Sequence, residues 1–278
     1  EFLREHLNKK YFKFIKADLL NLPKLKKSMA GHDLVVHLAA NPDIRYGIKY
    51  TDTDLKQNTI VTYNVLEAMR VNQVKDIFLA STSTVYGEPV VMPTPEDYGP
   101  LFPISLYGAS KLACEALCTS FAHTFGMKCW IFRFANIVGG RGTHGLLFDF
   151  IHKLKKDPKR LEILGNGKQA KSYLLVDDCV EAMLYVYSST KEPVNVYNLG
   201  CNDKIDITSI AKLLIAKSGF KTVKIVFTGG ERGWPGDVPQ MFLAVNKINR
   251  LGWKSRNNSQ QAVEIAIERM LNECKLSS

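Results

Sequence analysis

Tyr107 and Lys111 are the two residues whose spacing says most about chemistry. They lie four positions apart in Leu106-Tyr-Gly-Ala-Ser-Lys111, so on a helix they share one face and the lysine ammonium lies beside the phenol. A neighbouring cation lowers the pKa of tyrosine, which predicts a phenol that can exchange a proton near neutral pH. Thr82, in the strand-end motif Ala80-Ser-Thr-Ser-Thr-Val-Tyr-Gly87, supplies a hydroxyl that can share this proton. The trio predicts removal of a proton from an alcohol while another group takes a hydride.

Short apolar strands alternate with amphipathic helices along most of the sequence. Near-continuous apolar runs are typical of parallel strands buried on both faces, and strands separated by helices require crossover connections. The predicted strands cover residues 12–15, 34–38, 77–80, 129–134, 173–176, 194–199 and 223–227. The predicted helices cover residues 57–71, 107–125 with Gly126 as the C-cap, 146–155, 179–187 with Asp177 as the N-cap, 207–217 and 260–275. The pattern predicts an α/β fold, with a doubly wound parallel sheet and a smaller mixed α/β domain.

A doubly wound sheet that binds a dinucleotide does so through a glycine-rich turn between its first strand and first helix. Neither Gly-x-x-Gly-x-x-Gly nor Gly-x-Gly-x-x-Gly occurs near the start of this sequence. The missing piece corresponds to one strand–helix–strand unit of roughly 30–40 residues. We expect that this sequence lacks a disordered or deleted N-terminal unit. The alternative, a family member that evolved without a cofactor loop, stays open.

Composition excludes several classes of protein. The chain has 278 residues, of which 46% are hydrophobic, and this is enough for one large domain or two smaller ones. It contains no apolar run long enough to span a membrane, and its first ten residues lack the apolar stretch of a signal peptide. The net charge of +10 comes from scattered lysines without interleaved aromatic residues, which argues against nucleic-acid binding. The six cysteines form no Cys-x-x-Cys pair, so we expect a reducing, cytoplasmic location.

Six motifs occur in an order that resembles the extended short-chain dehydrogenase/reductases, specifically the NAD-dependent nucleotide-sugar epimerase/dehydratase family. They are His37-Leu-Ala-Ala40, Asn58 with Asn64-Val-Leu-Glu-Ala68, Ser81-Thr-Ser-Thr-Val-Tyr-Gly87, Tyr107-Gly-Ala-Ser-Lys111, Arg133-Phe-Ala-Asn136 and Gly236-Asp-Val-Pro239. The resemblance runs from about residue 14 to the last helix and is strongest to the UDP-glucose 4-epimerase type. It implies a Rossmann-like NAD-binding domain at residues 1–140 and 173–205, and a nucleotide-sugar-binding domain at residues 141–172 and 206–278.

The resemblance implies roles for particular residues. Tyr107, as phenolate, would accept the proton of a sugar hydroxyl while hydride moves to the nicotinamide, Lys111 would bind the nicotinamide ribose, and Thr82 would bridge tyrosine and sugar. These three are the implied catalytic residues, and no metal is expected. The implied cofactor-binding residues are Asp18, Leu19, Leu38, Ala39, Ala40, Asn58, Ala80, Thr82, Tyr107, Lys111 and Ala135. The implied substrate-binding residues are Thr82, Tyr107, Asn136, Leu146, Lys171, Arg232 and Asp237.

Two positions depart from the family pattern on the substrate side. Lys171 stands where the family usually has an arginine, which keeps the charge but loses the two-pronged grip on phosphate. Trp234 stands where an arginine is common, and either Arg232 supplies the guanidinium or Trp234 stacks on the base. His37 lies on a predicted strand, where we expect a packed core histidine.

The resemblance leaves a choice of reaction. Dehydratases of the family carry an acidic pair directly after the strand-end threonine, whereas this sequence has Ser83 and Thr84, which do not ionise near neutral pH. We therefore expect epimerisation at C4 of a UDP-glucose or UDP-galactose type sugar through a 4-keto intermediate. A 4,6-dehydratase, another family oxidoreductase and a non-catalytic nucleotide-sugar-binding homologue remain as alternatives, and N-acetylation of the sugar is left open. By the same resemblance, the helices at 57–71 and 107–125 imply a homodimer joined through a four-helix bundle.

Overall fold

The computed structural model describes residues 2–44, 46–231, 238 and 240–274 of the 278. Its strands are β1 Leu34–His37, β2 Asp76–Thr82, β3 Lys128–Phe134, β4 Asn136–Val138, β5 Arg160–Ile163, β6 Ala170–Lys171, β7 Tyr173–Leu175, β8 Val194–Leu199, β9 Ile205–Asp206, β10 Lys224–Phe227 and β11 Gln240–Met241. Its α-helices are α1 Leu22–Met29, α2 Tyr46–Lys49, α3 Val61–Val71, α4 Leu106–Phe125, α5 Leu146–Lys156, α6 Val176–Ser189, α7 Ile207–Lys217, α8 Asn246–Leu251 and α9 Ser259–Glu273.

The central sheet has the strand order β1-β2-β3-β8, and every neighbouring pair is parallel. Successive side chains of a strand point to opposite faces, so β2 sends Ile77 and Leu79 to one layer and Phe78 to the other. In β3, Ile131 joins the first layer and Trp130 the second. The continuous apolar runs of the sequence therefore fill two cores at once, which confirms the predicted α/β fold with a parallel sheet.

Helices cover both faces of this sheet. One core contains Leu66 and Met69 of α3 and Cys118 of α4 against the first layer of strand residues. The other contains Val186 of α6 and Ile248 of α8 against the second layer. Since α4 follows β2 and packs on its face, its first turn lies at the carboxyl end of the sheet.

A third apolar cluster lies among α5, β5, α7 and α9, with Leu154, Leu161, Ile210 and Ile267 fully buried. Small sheets surround it, with the orders β10-β5, β11-β6-β9 and β4-β7. The division of the chain into two domains with the residue bounds given above stays a prediction.

Local sequence signals explain where α4 begins and ends. Ser105 is the N-cap, and its Oγ accepts a hydrogen bond from the backbone N–H of Gly108 at 3.0 Å. Gly126 ends the helix with φ 62°, in the left-handed region that favours glycine, as predicted. The helix that carries Tyr107 is thus fixed at both ends by local chemistry.

Three predicted elements differ from the structure. Residues 12–15 form no strand, and Phe14 is 57% exposed. An apolar run becomes a strand only when it pairs with a neighbouring strand, and in the described chain β1 pairs only with β2. Asp177 is not an N-cap, since α6 begins at Val176 and its N-cap is Leu175. Asp177 lies instead in the first turn, where a carboxylate also suits the helix dipole, and it pairs with Arg269.

The predicted helix at 57–71 exists, but its beginning is wider than an α-helix. Leu55–Ile60 forms a π-helical segment that contains the buried Asn58, and α3 continues from Val61. Such segments occur frequently at functional sites. In the described part of the chain, no helix is both long and apolar enough to cross a membrane.

Candidate active site

Thr82, Tyr107 and Lys111 meet at the carboxyl end of the central sheet. Thr82 is the last residue of β2, Tyr107 lies in the first turn of α4, and both line one cavity. Lys111, one turn further, is buried and donates from Nζ to the carbonyl oxygen of Ala80 at 2.8 Å. The Lys111 Nζ lies 5.9 Å from the centroid of the Tyr107 ring. The helical spacing of the sequence therefore places the ammonium beside the phenol.

The protonation of Tyr107 differs from the sequence prediction. Burial, with smaller contributions from Asp54 and Cys114, raises the pKa of Tyr107 to about 12. The expectation of a lowered pKa was wrong for the polypeptide alone, because withdrawal of the phenol from water has the largest effect. Burial also lowers the pKa of Lys111, while Cys114 and Asp54 act in the opposite direction.

Thr82 keeps its hydroxyl hydrogen available. Its Oγ1 accepts from the Thr84 backbone N–H and from the Thr84 hydroxyl, both at 3.2 Å. These contacts cap the 3₁₀ turn Ser83–Tyr86. Because Oγ1 accepts in both, its own O–H can still donate to an atom in the cavity.

A buried ion pair lies one helical turn below Lys111. Glu115, on the same face of α4, receives hydrogen bonds from Arg133 of β3 on both carboxylate oxygens, at 3.1 Å from Nε to Oε1 and 2.8 Å from Nη2 to Oε2. Ser81 donates to Glu115, and Arg133 donates to the Tyr86 hydroxyl at 2.8 Å. The pair joins α4, β2 and β3 directly beneath the catalytic turn. Sequence reasoning missed Glu115, although an acid at the fourth position after Lys111 within an apolar helix was a signal.

Asn58, an implied cofactor residue, uses its side chain inside the protein. Its amide nitrogen donates to Ser110 Oγ at 2.8 Å and to Asp54 Oδ1 at 3.3 Å, and its oxygen accepts from the backbone N–H of Asn41 at 2.7 Å. Its place beside the cofactor stays a prediction. Sequence reasoning also missed Asp54 and Asn41, because a buried polar pair in a polar stretch of sequence gives no periodic signal.

The other implied cofactor residues lie along the carboxyl edge of the sheet. Leu38, Ala39 and Ala40 follow β1, with Leu38 exposed, while Ala80 lies in β2 and Ala135 follows β3. The small alanine side chains leave room for close approach of a ligand at the edge where doubly wound sheets bind nucleotides.

Asp18 and Leu19 lie further out, before α1. The Oδ1 of Asp18 accepts from the Leu20 backbone N–H at 2.9 Å, as in an ordinary turn, and the Leu19 carbonyl accepts from Asn64 at 3.0 Å. His37 is buried, its Nε2 lies 3.0 Å from Thr62 Oγ1, and burial lowers its pKa to about 4. The histidine is therefore neutral near pH 7 and packs in the core as expected. The described residues contain no cluster of groups suited to a metal ion.

The cavity in front of Tyr107 has a volume of about 500 Å³ and extends toward the third apolar cluster, the one among α5, β5, α7 and α9. Asn136, Leu146 and Lys171, three of the implied substrate residues, line it, and the Asn136 amide donates to the Ser172 carbonyl at 3.2 Å. Arg232 and Asp237, together with Trp234 and most of the Gly236–Pro239 motif, lie outside the described residues.

Additional residues of the cavity wall were missed by sequence reasoning. Lys153 donates from Nζ to the Glu162 carbonyl at 2.8 Å and adds positive charge to the wall. Gln169 is buried, and its Oε1 has no hydrogen-bond partner among the described residues. A buried acceptor of this kind calls for a donor.

Comparison with known proteins supports the same assignment of fold and chemistry. A crystal structure of UDP-galactose 4-epimerase is similar to this chain with a TM-score of 0.83 and 37% identity, covering 92% of this chain and 82% of that one. The UDP-glucuronic acid 4-epimerase from Bacillus cereus, in complex with UDP-glucuronic acid and NAD, has a TM-score of 0.86 at 26% identity, covering 98% and 85%.

Curated sequences agree. A putative UDP-glucose 4-epimerase from Methanocaldococcus jannaschii is 27% identical over 93% of this chain and 84% of its own length. Residues 2–200 match the NAD dependent epimerase/dehydratase family, whose cofactor is NAD. The tyrosine–lysine pair and threonine at the sheet edge, and the match over most of the chain, establish that this protein belongs to the NAD-dependent epimerase/dehydratase family.

Proposed function

We propose that the protein is an NAD-dependent nucleotide-sugar epimerase that inverts C4 of a UDP-glucose or UDP-galactose type substrate. The observation that carries this proposal is the cavity in which Thr82 and Tyr107 face the wall formed by Asn136, Leu146 and Lys171. Ser83 and Thr84, beside Thr82, offer no carboxyl group for the elimination of water, which favours epimerisation over dehydration.

The donors at the sheet edge suit NAD. Lys111 and Tyr107 present an ammonium and a hydroxyl beside the small residues Ala80 and Ala135. We propose that these four, with Ala39 and Ala40, hold the nicotinamide half, and that Asp18, Leu19, Leu38 and Asn58 lie toward the adenosine half. The chemistry that NAD supplies when bound is acceptance of a hydride from sugar C4 and its return to the opposite face.

The residues of the chain move the proton. Tyr107 accepts the proton of the C4 hydroxyl and later gives it back, and Thr82 hydrogen-bonds the same sugar oxygen through its free O–H. Since the polypeptide, Lys111 included, holds the pKa of Tyr107 at about 12, the phenolate needs positive charge from outside the chain, which the oxidised nicotinamide ring of NAD would supply.

On the substrate side, Asn136, Leu146 and Lys171 bind the nucleotide diphosphate, and Arg232 and Asp237 remain proposed contacts to phosphate and ribose. Lys153, whose Nζ also lies 3.8 Å from Glu162 Oε1, adds a second cation to the wall, which contains Asp43 and Asp149 as well. The two cations suit an anionic diphosphate.

The test is a substrate panel with NAD present: UDP-galactose, UDP-N-acetylgalactosamine and UDP-glucuronic acid, with products separated by ion-pair chromatography. We expect UDP-glucose from UDP-galactose. Turnover of UDP-glucuronic acid alone would assign the reaction to the uronic acid, as in the Bacillus cereus relative. A 4-keto-6-deoxy product would identify a dehydratase, and binding without turnover would identify a non-catalytic homologue.

We also propose a homodimer through α3 and α4. Tyr63 and Phe125 on these helices are large and exposed, as are Ile60 and Leu106 beside them. Light scattering that gives a monomer at micromolar concentration would contradict the dimer. A cytoplasmic location is proposed as well, because the six cysteines are all free thiols.

A further inference from the structure

Asp54 is an unusual residue in this active centre. The residue is 1% exposed and lies just before the π-helical segment Leu55–Ile60. Oδ1 accepts from the side-chain amides of Asn41 at 2.9 Å and Asn58 at 3.3 Å, while Oδ2 has no partner among the described residues. Both donors are neutral, so neither contact balances the charge of the carboxylate. Burial of an unbalanced carboxylate is unfavourable and calls for a compensating cation nearby.

Among the residues that the structure describes, the nearby cation is Lys111. Its ammonium is also buried, and its hydrogen bond goes to a neutral carbonyl, that of Ala80. Asp54 acts on Lys111 and on Tyr107 through space, favouring the charged form of the lysine and disfavouring the charged form of the tyrosine. Glu115 favours the charged form of Lys111 more strongly, but Glu115 is itself paired with Arg133, whereas the hydrogen bonds that Asp54 accepts come from neutral amides.

A chain of hydrogen bonds connects Asp54 to the catalytic helix. Asn58, held by Asp54, donates to Ser110 Oγ at 2.8 Å, and Ser110 donates to the Tyr107 carbonyl at 2.8 Å. On the other side, Asn41 leads into the loop whose residues 42–44 line the cavity. Asp54 therefore joins the first turn of α4 to one wall of the cavity.

Gly47 makes room for this carboxylate. A Cβ atom at this position would lie 2.2 Å from Asp54 Oδ2, and Gly47 has no left-handed backbone that would otherwise require glycine. The close approach explains why a residue without a side chain occupies the position.

We propose that Asp54 is a positioning residue of the active centre. As a buried anion it fixes Asn41 and Asn58, and through Ser110 the first turn of α4. It also adds to the negative charge around the buried Lys111 ammonium. The expected effect of Asp54 on kcat rests on the proposed epimerase function, whereas its expected effect on the ionisation of Tyr107 does not.

The effect of a substitution at Asp54 on the pKa values of Tyr107 and Lys111 depends on the other charged and titratable groups near these two residues. Those that face Tyr107 are Asp54, Lys111 and Cys114, and those that face Lys111 include Cys118, Glu115 and His37 as well. Cysteine 114 has a pKa raised by burial, so it is neutral near pH 7. The pKa of His37 of about 4 makes it neutral there too. Within the described part of the chain, Asp54 and Glu115 are therefore the carboxylates that act on the pair, and Asp54 is the one that acts on Tyr107.

Two substitutions separate charge from geometry. Asp54→Asn keeps the shape and an oxygen that accepts from both asparagines but removes the charge, and Asp54→Ala removes both. The matched control is Asp52→Asn, which neutralises an exposed carboxylate two residues away that pairs with Lys56.

The first readout is the ionisation of Tyr107, which is measured as absorbance at 295 nm during a pH titration, with and without NAD. The signal of Tyr107 is the difference between each protein and the same protein with Tyr107→Phe. Removal of the negative charge favours the phenolate, so Asp54→Asn shifts the titration to lower pH, whereas Asp52→Asn leaves it in place. Coinciding curves for Asp54→Asn and the unmutated protein would overturn the charge role.

The second readout is the pH dependence of kcat with UDP-galactose. In Asp54→Asn both limbs of the profile shift to lower pH, because Tyr107 and Lys111 each lose their protons more easily. Asp54→Ala lowers kcat by about 10- to 100-fold, with KM nearly unchanged because Asp54 does not line the cavity. Unchanged kcat in Asp54→Ala would overturn the positioning role. If Asp54→Ala does not fold, Gly47→Ala, which displaces Oδ2 sterically, takes its place with the same expected loss.

The two proposals fail in different ways. If no sugar is converted by the unmutated protein, the epimerase function fails, and the Tyr107 titration still decides the charge role of Asp54. If sugar is converted and the titration and kcat of the Asp54 variants match the unmutated protein, only the role of Asp54 fails.

Discussion

Replacement of Glu115 by glutamine tests whether the ion pair beneath the catalytic turn holds α4 against the sheet. Glu115 and Arg133 are both buried, and the guanidinium contacts both oxygens of the carboxylate. Glutamine has nearly the same shape but leaves the Arg133 charge buried without its counterion. Breaking a buried pair by removing one charge costs about 3–5 kcal/mol. For a chain of this length we expect the melting temperature to fall by about 5–9 °C.

The free energy of unfolding is measured by urea denaturation followed by fluorescence and circular dichroism. The matched control is Glu67→Gln, because Glu67 also lies on a helix and receives two hydrogen bonds from an arginine, Arg70, at 2.7 and 2.9 Å. The Glu67 pair is at the surface, so its loss costs about 1 kcal/mol or less. A loss for Glu115→Gln no larger than that of the control would refute the reasoning that burial makes this pair structurally important.

Three further predictions follow from individual residues. Tyr107→Phe removes the group that exchanges the proton and lowers kcat by about 10²–10⁴-fold, while nucleotide binding measured by calorimetry is retained; an active variant would contradict the assignment. His37 has a pKa of about 4 when folded and near 6.5 when unfolded, so the unfolded chain binds more protons and the unfolding free energy falls as the pH decreases from about 6.5 toward 4. His37→Gln should flatten this dependence in urea titrations at pH 7 and pH 5, and an equally steep loss in the variant would refute it. Gly126→Ala places a side chain at φ 62° with open space around it, so strain alone should cost about 1 kcal/mol in the same assay, and an unchanged unfolding free energy would contradict the C-cap role.

The elements that position the site were predictable where local chemistry and long-range packing agree. The continuous apolar run at 129–134 is typical of a strand that is buried on both faces of a parallel sheet, and it forms β3. Gly126 ends α4 because glycine readily adopts the left-handed conformation. The spacing of Tyr107 and Lys111 required only that α4 be a helix. By contrast, residues 12–15 have the composition of a strand but form none. A strand must pair with a neighbouring strand, and the local sequence does not show whether such a neighbour is present.

The parts of the site that were missed depend on the third dimension. Asp54 and Glu115 are distant in sequence from the groups they affect, and burial of a carboxylate is invisible in a local pattern. The pKa of Tyr107 was predicted in the wrong direction for the same reason, since spacing shows a neighbouring cation but not the loss of water. The π-helical segment at Leu55–Ile60 has no simple sequence signal either.

The central claim is that the chain oxidises sugar C4 and returns the same hydrogen to the opposite face. It is tested most directly with UDP-galactose that carries deuterium at C4, incubated with the protein and NAD in ordinary water and analysed by NMR. The proposal predicts UDP-glucose that keeps the deuterium at C4, and no product from the Tyr107→Phe variant. Loss of the label to solvent, uptake of solvent hydrogen at another ring carbon, or absence of UDP-glucose would contradict it.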